Sequence, residues 1–302
     1  MGSTGMPGSA AVSWSGDGGS AEAEMADVQR RTATGAAVAA VLALLAAGCS
    51  TAAGGSGGGS DSGSGRGDAV SAPGMDVGTR IDHALPADIL HLPLTDQDGR
   101  PTSLAAFKNK VLVVSDIMTL CAETCPLDTA NVVQTAQRVE ADHAGSDVEF
   151  LSITIDPARD TPAQLAAYRR LYSPPPADWQ TLTGSPAVVQ KLWKYFGVWY
   201  QKVPQGKPPA KNWRTGQTLT YDLNHSDEIF FIDGRGHERF VIDGAGHVQP
   251  GTVLPPTVRN YLDSEGVNNL EHPDSSSWTV PEGLQTVGWL LGRPLPTGQK
   301  SS

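Results

Sequence analysis

Large apolar side chains are distributed unevenly along the chain. Up to about residue 80 they are sparse, apart from an uncharged Ala/Val/Leu run from Ala36 to Ala47. Downstream the spacing becomes regular. His91 to Leu94, followed by Asp96-Gln97-Asp98-Gly99, predicts a strand and a hairpin-like turn. Lys110 to Ile117 (KVLVVSDI) is a continuous β-branched run, the pattern of a strand buried on both faces. Pro126 suits the first turn of a helix, and Val132, Val133, Ala136 and Val139 give it a core-facing stripe to about Ala141. Val148 to Ile155 (VEFLSITI) predicts the next strand, and Thr161-Pro162-Ala163-Gln164 is a capping box with proline at the first helical position. A short strand at Trp179 to Leu182 precedes a helix opened by Ser185-Pro186 and closed by Gly197. Residues 200–220, rich in Pro, Gly and Lys, predict a long loop. Glu228 to Asp233 and His237 to Ile242 flank Gly234-Arg235-Gly236, a hairpin signal, and a last helix is predicted over Pro256 to Ser264.

Strand and helix alternate, then give way to a hairpin and a helix. This predicts an α/β fold, compatible with a thioredoxin-like one: a central mixed sheet flanked by helices, with a C-terminal β-hairpin and helix. The pattern occupies residues 81–265, a single-domain length that buries about 70% of its unfolded-chain surface. Residues 1–49 read as an N-terminal extension with a lipoprotein-type signal peptide, 50–80 as a flexible Gly/Ser-rich linker, and 266–302 as a C-terminal extension. Within that extension the apolar stretch Gly283 to Leu291 predicts a helix or strand docked on the domain. The net charge of -10, from 32 acids against 22 bases with no Lys/Arg-rich run, argues against nucleic acid as a partner.

The run Ala36–Ala47 is far shorter than the roughly 20 apolar residues a spanning helix needs. Basic Arg30-Arg31, a short apolar core and small residues, in that order, fit a secretory signal. Its end, Ala46-Ala47-Gly48-Cys49, resembles a bacterial lipobox, in which Cys49 would be lipidated and become the first mature residue. Ala46 is a weaker choice than Leu there, and ordinary signal-peptidase cleavage, with Cys49 lost or left free, is the alternative. Arg30-Arg31 lacks the apolar residues that follow a twin-arginine pair. Met25 is a candidate start. The expectation is an exported protein, anchored on the outer face of the bacterial cytoplasmic membrane by a lipid on Cys49. The Gly/Ser segment that follows is a tether with a typical span of about 30 Å.

A lipid on Cys49 leaves one pair among three cysteines, Cys121 and Cys125, outside the cytoplasm. Cys121-Ala-Glu-Thr-Cys125-Pro126 sets two sulfurs four positions apart, so that they can face the same way on a helical turn. At a helix N-terminus the free N–H groups and the dipole favour thiolate, which is both nucleophile and metal ligand. Three uses fit: a dithiol/disulfide cycle, a site for a soft cation such as Cu(I), or a permanent disulfide.

The run CAETCP, then TIDPARDTP (Thr154 to Pro162), LTGS (Leu182 to Ser185) and YDLNHSDEIFFID (Tyr221 to Asp233), resembles the Sco/SenC family in order and spacing over roughly residues 85 to 262. In that family two cysteines and a histidine bind copper, and the protein helps to build the dinuclear copper centre of cytochrome c oxidase. The resemblance therefore implies copper as the bound metal, an apo-cuproenzyme such as an oxidase subunit as partner, and Cys121, Cys125 and His225 as ligands. An imidazole would complete a trigonal site with two thiolates and would tolerate Cu(II) as well. Asp156 and Asp160 match the family's acidic pair, which would orient the site or contact partners; for Asp160, helix-start electrostatics beside Thr161 is the simpler reading. The chain departs from the family in Ser115 to Leu120, where an aromatic-rich segment is common, in Asn224, where an acid often precedes the histidine, and in Glu123, where Asp is common. Two main functions remain: a metal-delivery protein, and a thiol–disulfide oxidoreductase that keeps the target's cysteines reduced. A copper or redox sensor is a third.

Overall fold

Val111–Ile117 forms a strand in which every residue is buried. Its alternate side chains enter two separate cores: Val111 and Val113 join one cluster, Leu112 and Val114 the other. A period of two with both faces apolar is what places this strand in the middle of a covered sheet. In the computed structural model the described residues are 70–249, 252–273 and 278–297, so the signal-type segment, Cys49 and the linker as far as residue 69 lie outside them.

The elements follow in chain order as β1 (Thr79–Ala84), α1 (Ala87–Leu90), β2 (Leu94–Asp96), β3 (Pro101–Thr102), β4 (Val111–Ile117), α2 (Cys125–Ala141), β5 (Val148–Thr154), α3 (Pro162–Leu171), β6 (Trp179–Gly184), α4 (Pro186–Phe196), β7 (Tyr200–Val203), β8 (Asp222–His225), β9 (Glu228–Ile232), β10 (His237–Asp243), α5 (Pro256–Arg259), α6 (Ser264–Glu271) and α7 (Val280–Leu291). Eight strands pair in the order β1-β10-β9-β4-β5-β6-β2-β3. β4, β5 and β6 are parallel neighbours, and the hairpin β9–β10 lies antiparallel beside β4. The sub-order β10-β9-β4-β5, with α2 crossing from β4 to β5, is the arrangement of a thioredoxin-like fold. The core on one face contains residues of α2, α3 and α7, and the other contains residues of α1 and α4.

The caps form largely as the residues demand. Thr161 and Ser185 each accept a backbone N–H in the first turn of their helices, and Gly197 ends α4 in the left-handed region at φ 86°. The capping box at Thr161 is only half made, because Gln164 turns its amide oxygen to Arg214 and Asn212 instead. Other expectations need correction. Pairing with a non-local partner makes Tyr200–Val203, expected in a loop, a strand against β8. The helix expected over Pro256 to Ser264 is two helices, because Asp263 caps a new one by accepting the Gly266 N–H. His91 to Pro93 lie before the strand that begins at Leu94. The apolar stretch Gly283 to Leu291 lies within α7, opened by a complete capping box of Thr279 and Glu282. Among the described residues no helix is long and apolar enough to cross a membrane.

Candidate metal centre

After Ile117 the chain leaves β4 and turns through Met118 to Thr124 before entering α2 at Cys125. Cys121 is half-buried in this turn, Cys125 is buried, and both are free thiols. Each thiol influences the ionisation of the other. A loop rather than a helical turn brings them together, since residues 121–124 precede the helix.

The loop is held from several sides. Trp213 donates its indole N–H to the Thr119 carbonyl at 2.8 Å. The Tyr261 hydroxyl lies 2.8 Å from the same carbonyl and 2.7 Å from that of Cys121, and shares its proton between them. Asp263 donates its backbone N–H to Ala122 at 3.1 Å. Gly266, at the start of α6, packs so closely that a Cβ there would lie 2.3 Å from the Ala122 carbonyl oxygen. Sequence reasoning did not single out any of these four; only chain folding brings residues 213 and 261–266 to a loop at 119–122.

His225 is the last residue of β8, paired with Tyr200, rather than a loop residue. Its Nε2 lies 3.5 Å from Cys125 Sγ. Its Nδ1 faces the Ser226 carbonyl at 3.0 Å, Asp116 Oδ2 at 3.1 Å and Asp227 Oδ1 at 3.5 Å. Burial disfavours the imidazolium, but the close carboxylate of Asp116, with Asp227 and the Ser226 carbonyl, outweighs it and holds the pKa up at about 10. Asp116 and Asp227 were missed. The available signal was Asp116 itself, a lone acid in a buried apolar strand.

Asp156 and Asp160 brace the two halves of the site separately. Asp160 is fully buried; it accepts the Thr119 hydroxyl, the Thr119 N–H at 3.3 Å and the Thr154 hydroxyl at 2.6 Å. It does not cap α3, a role that Thr161 fills. Burial pushes its carboxyl up to about 6, against those hydrogen bonds. Asp156 accepts the Tyr221 hydroxyl at 2.7 Å and pairs with Arg159. Arg159 in turn lies 3.9 Å from the centroid of the Tyr221 ring and donates to the Tyr221 carbonyl at 2.6 Å, just ahead of β8. One acid thus steadies the cysteine loop, the other the histidine strand.

Cys121 and His225 open onto a pocket of about 350 Å³, also lined by Met118, Glu123, Asp222 and Asp227. Cys125 lies behind it. The neighbouring Cys125 thiol, then burial, pushes the Cys121 thiol well above the usual thiol range. For Cys125 the Cys121 thiol works downward, but burial and the charges of Asp227 and Asp116 leave it raised as well. In the metal-free site burial, and for Cys125 also the charges of Asp227 and Asp116, oppose the thiolate that a helix terminus favours. A thiophilic cation reverses that balance by taking the place of the protons. The three donors are two sulfurs and an imidazole nitrogen, a soft set suited to Cu(I) or another thiophilic ion. Behind the ring, Asp116, Asp227 and Nδ1 of His225 form a second group whose donor atoms lie within 4.8 Å of one another.

The sheet and the cysteine turn define a thioredoxin-like protein with Cys121 and Cys125 at a strand-to-helix junction and His225 beside Cys125. The model of the SCO1/SenC family matches residues 90–251, and the chain belongs to that family. It is 30% identical over 107 residues to the SCO1 protein homolog of Bacillus subtilis, covering 35% of this chain and 54% of that protein, just over half its length. It is 29% identical over 155 residues to a Stutzerimonas stutzeri protein named for copper binding, covering 50% of this chain and 69% of the relative. Among solved structures, BsSco, a member of the Sco family of cytochrome c oxidase assembly proteins in which a disulfide switch was identified, aligns over 55% of this chain and 91% of its own at 22% identity, with a TM-score of 0.40.

Proposed function

We propose that this protein is a membrane-tethered copper chaperone, carrying copper on Cys121, Cys125 and His225 and delivering it to a cuproenzyme, the dinuclear copper site of cytochrome c oxidase. The observation that carries the reading is the 3.5 Å approach of His225 Nε2 to Cys125 Sγ, with Cys121 in the adjoining turn, four positions before Cys125. Bonds of about 2.0 Å to nitrogen and 2.3 Å to sulfur, at a trigonal or tetrahedral angle, require a donor separation of about 3.5–3.7 Å. Cu(I) displaces the two thiol protons as it binds, giving a bis-thiolate complex and two released protons. Transfer is then ligand exchange through the pocket, where Cys121 and His225 meet solvent. The tether follows from the signal-type segment ending at Cys49 and the Gly/Ser run after it.

The test is Cu(I) titration of the reduced protein with the oxidation state monitored. Wild type takes up one equivalent, Cys121→Ser/Cys125→Ser none, and His225→Ala binds more weakly. Binding by wild type no stronger than by the double serine variant would sink the reading. A second reading, a thiol–disulfide oxidoreductase acting on the target's copper-ligand cysteines, is favoured by the contrast between the solvent-facing Cys121 and the buried Cys125, an attacking and a resolving sulfur. His225→Ala separates the two: a reductase keeps its turnover, whereas a chaperone holds its copper less tightly.

A further inference from the structure

Asp116 interrupts a strand whose seven residues are all buried. Its side chain is 2% exposed, and that of His225 is 8% exposed. Burying a carboxylate costs several kcal/mol unless it is paired. Asp116 Oδ1 takes the Glu228 backbone N–H at 3.3 Å. Oδ2 is buried without a hydrogen-bond partner and lies 3.1 Å from His225 Nδ1, which is 3.5 Å from Asp227 Oδ1 and hydrogen-bonded to the Ser226 carbonyl at 3.0 Å. A pairing that merely fastened β8 to β4 would need one carboxylate, and here two converge on one nitrogen.

We propose that Asp116, assisted by Asp227, is a positioning residue that holds His225 with Nε2 toward the thiols and biases the site toward Cu(II) relative to Cu(I). The inference rests on the copper reading above. Acceptors and negative charge around Nδ1, the Ser226 carbonyl with the Asp116 and Asp227 carboxylates, favour the tautomer protonated there, orient the ring and make the other nitrogen a better donor. Two negative charges within a few ångströms also favour a doubly charged ion over a singly charged one, the more so in a buried site. Cu(I) can rest on two thiolates alone, so the imidazole and its backing carboxylates matter less to it.

The experiment measures affinity for both ions in the full chain, for wild type, Asp116→Asn and Asp227→Asn. Cu(I) is read by competition with a chromophoric chelator, and Cu(II) by thiolate-to-metal charge-transfer absorption and electron paramagnetic resonance. Asp116→Asn is expected to weaken Cu(II) binding about 10- to 100-fold and Cu(I) binding by less than about threefold. Asp227→Asn shifts both in the same direction by less, and because the Asp227 side chain is 23% exposed it carries the test should Asp116→Asn fold poorly. Equal losses for the two ions, or none, would overturn the proposal while leaving the chaperone reading intact. A second equivalent of Zn²⁺ bound by wild type and lost in Asp116→Asn would overturn it too, by making the carboxylates ligands in their own right. No copper binding by wild type removes the chaperone reading, and this proposal with it.

Discussion

Asp128 lies in the first turn of α2, buried, with its carboxylate accepting the Trp278 indole N–H at 2.7 Å. Burial and the nearby Asp227 push its pKa up to about 8, against the Trp278 hydrogen bond and with a further push from Asp116. The folded value lies above the unfolded one of 3.8. The fold therefore favours the protonated form, and this contribution is complete below about pH 4 and is lost as pH rises through about 8. Thermal melts of the metal-free protein should show stability falling across that window. Asp128→Asn, neutral and still an acceptor for Trp278, should flatten the fall; an unchanged slope would refute it. Residue by residue, legibility follows the range of the information. Cys121 and Cys125 are close in sequence and stand out unaided, whereas Asp116 acquires meaning only because folding brings β4 against His225, on the side where Asp227 also lies.

At the scale of elements, the cysteine turn depends on segments far along the chain. Tyr261→Phe removes the proton shared by the Thr119 and Cys121 carbonyls, and should cost about 0.5–1.5 kcal/mol in urea unfolding. Gly266→Ala drives a methyl into the Ala122 carbonyl, Leu262 and the Glu123 carbonyl, and should cost about 1–3 kcal/mol by pushing α6 off the turn. Both variants should also weaken Cu(I) binding, since both loosen the backbone that carries Cys121; full affinity in a measurably destabilised Gly266→Ala protein would show that the turn holds its shape without α6. α2, α4 and the β9–β10 hairpin were legible because caps, apolar stripe and turn residues lie within each segment. β7 and β8 were not, because strands of four residues with at most one buried side chain are defined by their partner rather than by their own pattern.

Across the whole molecule, the C-terminal segment beyond the family-matched residues is structural. Trp278 is buried at 1% exposure, and its carbonyl and that of His247 accept the amide of Asn131 on α2 at 3.0 Å. Leu284 and Val287 of α7 are fully buried in the same core as α2. Trp278→Ala should cost about 3–5 kcal/mol, read as a lowered unfolding midpoint, and should release Asp128 from its partner. The sequence by itself determined the strand–helix alternation from β4 to α4, the β9–β10 hairpin, the spacing of the cysteine pair and the covered central strand, because period, capping and spacing are local properties. Only the tertiary structure decided that His225 faces Cys125 through Nε2 while two carboxylates back its Nδ1, that the cysteine loop is clamped from residues 213 and 261–266, and that the last helix completes the core. Those contacts join residues about 100 positions apart, and such proximity comes from packing rather than from any local preference.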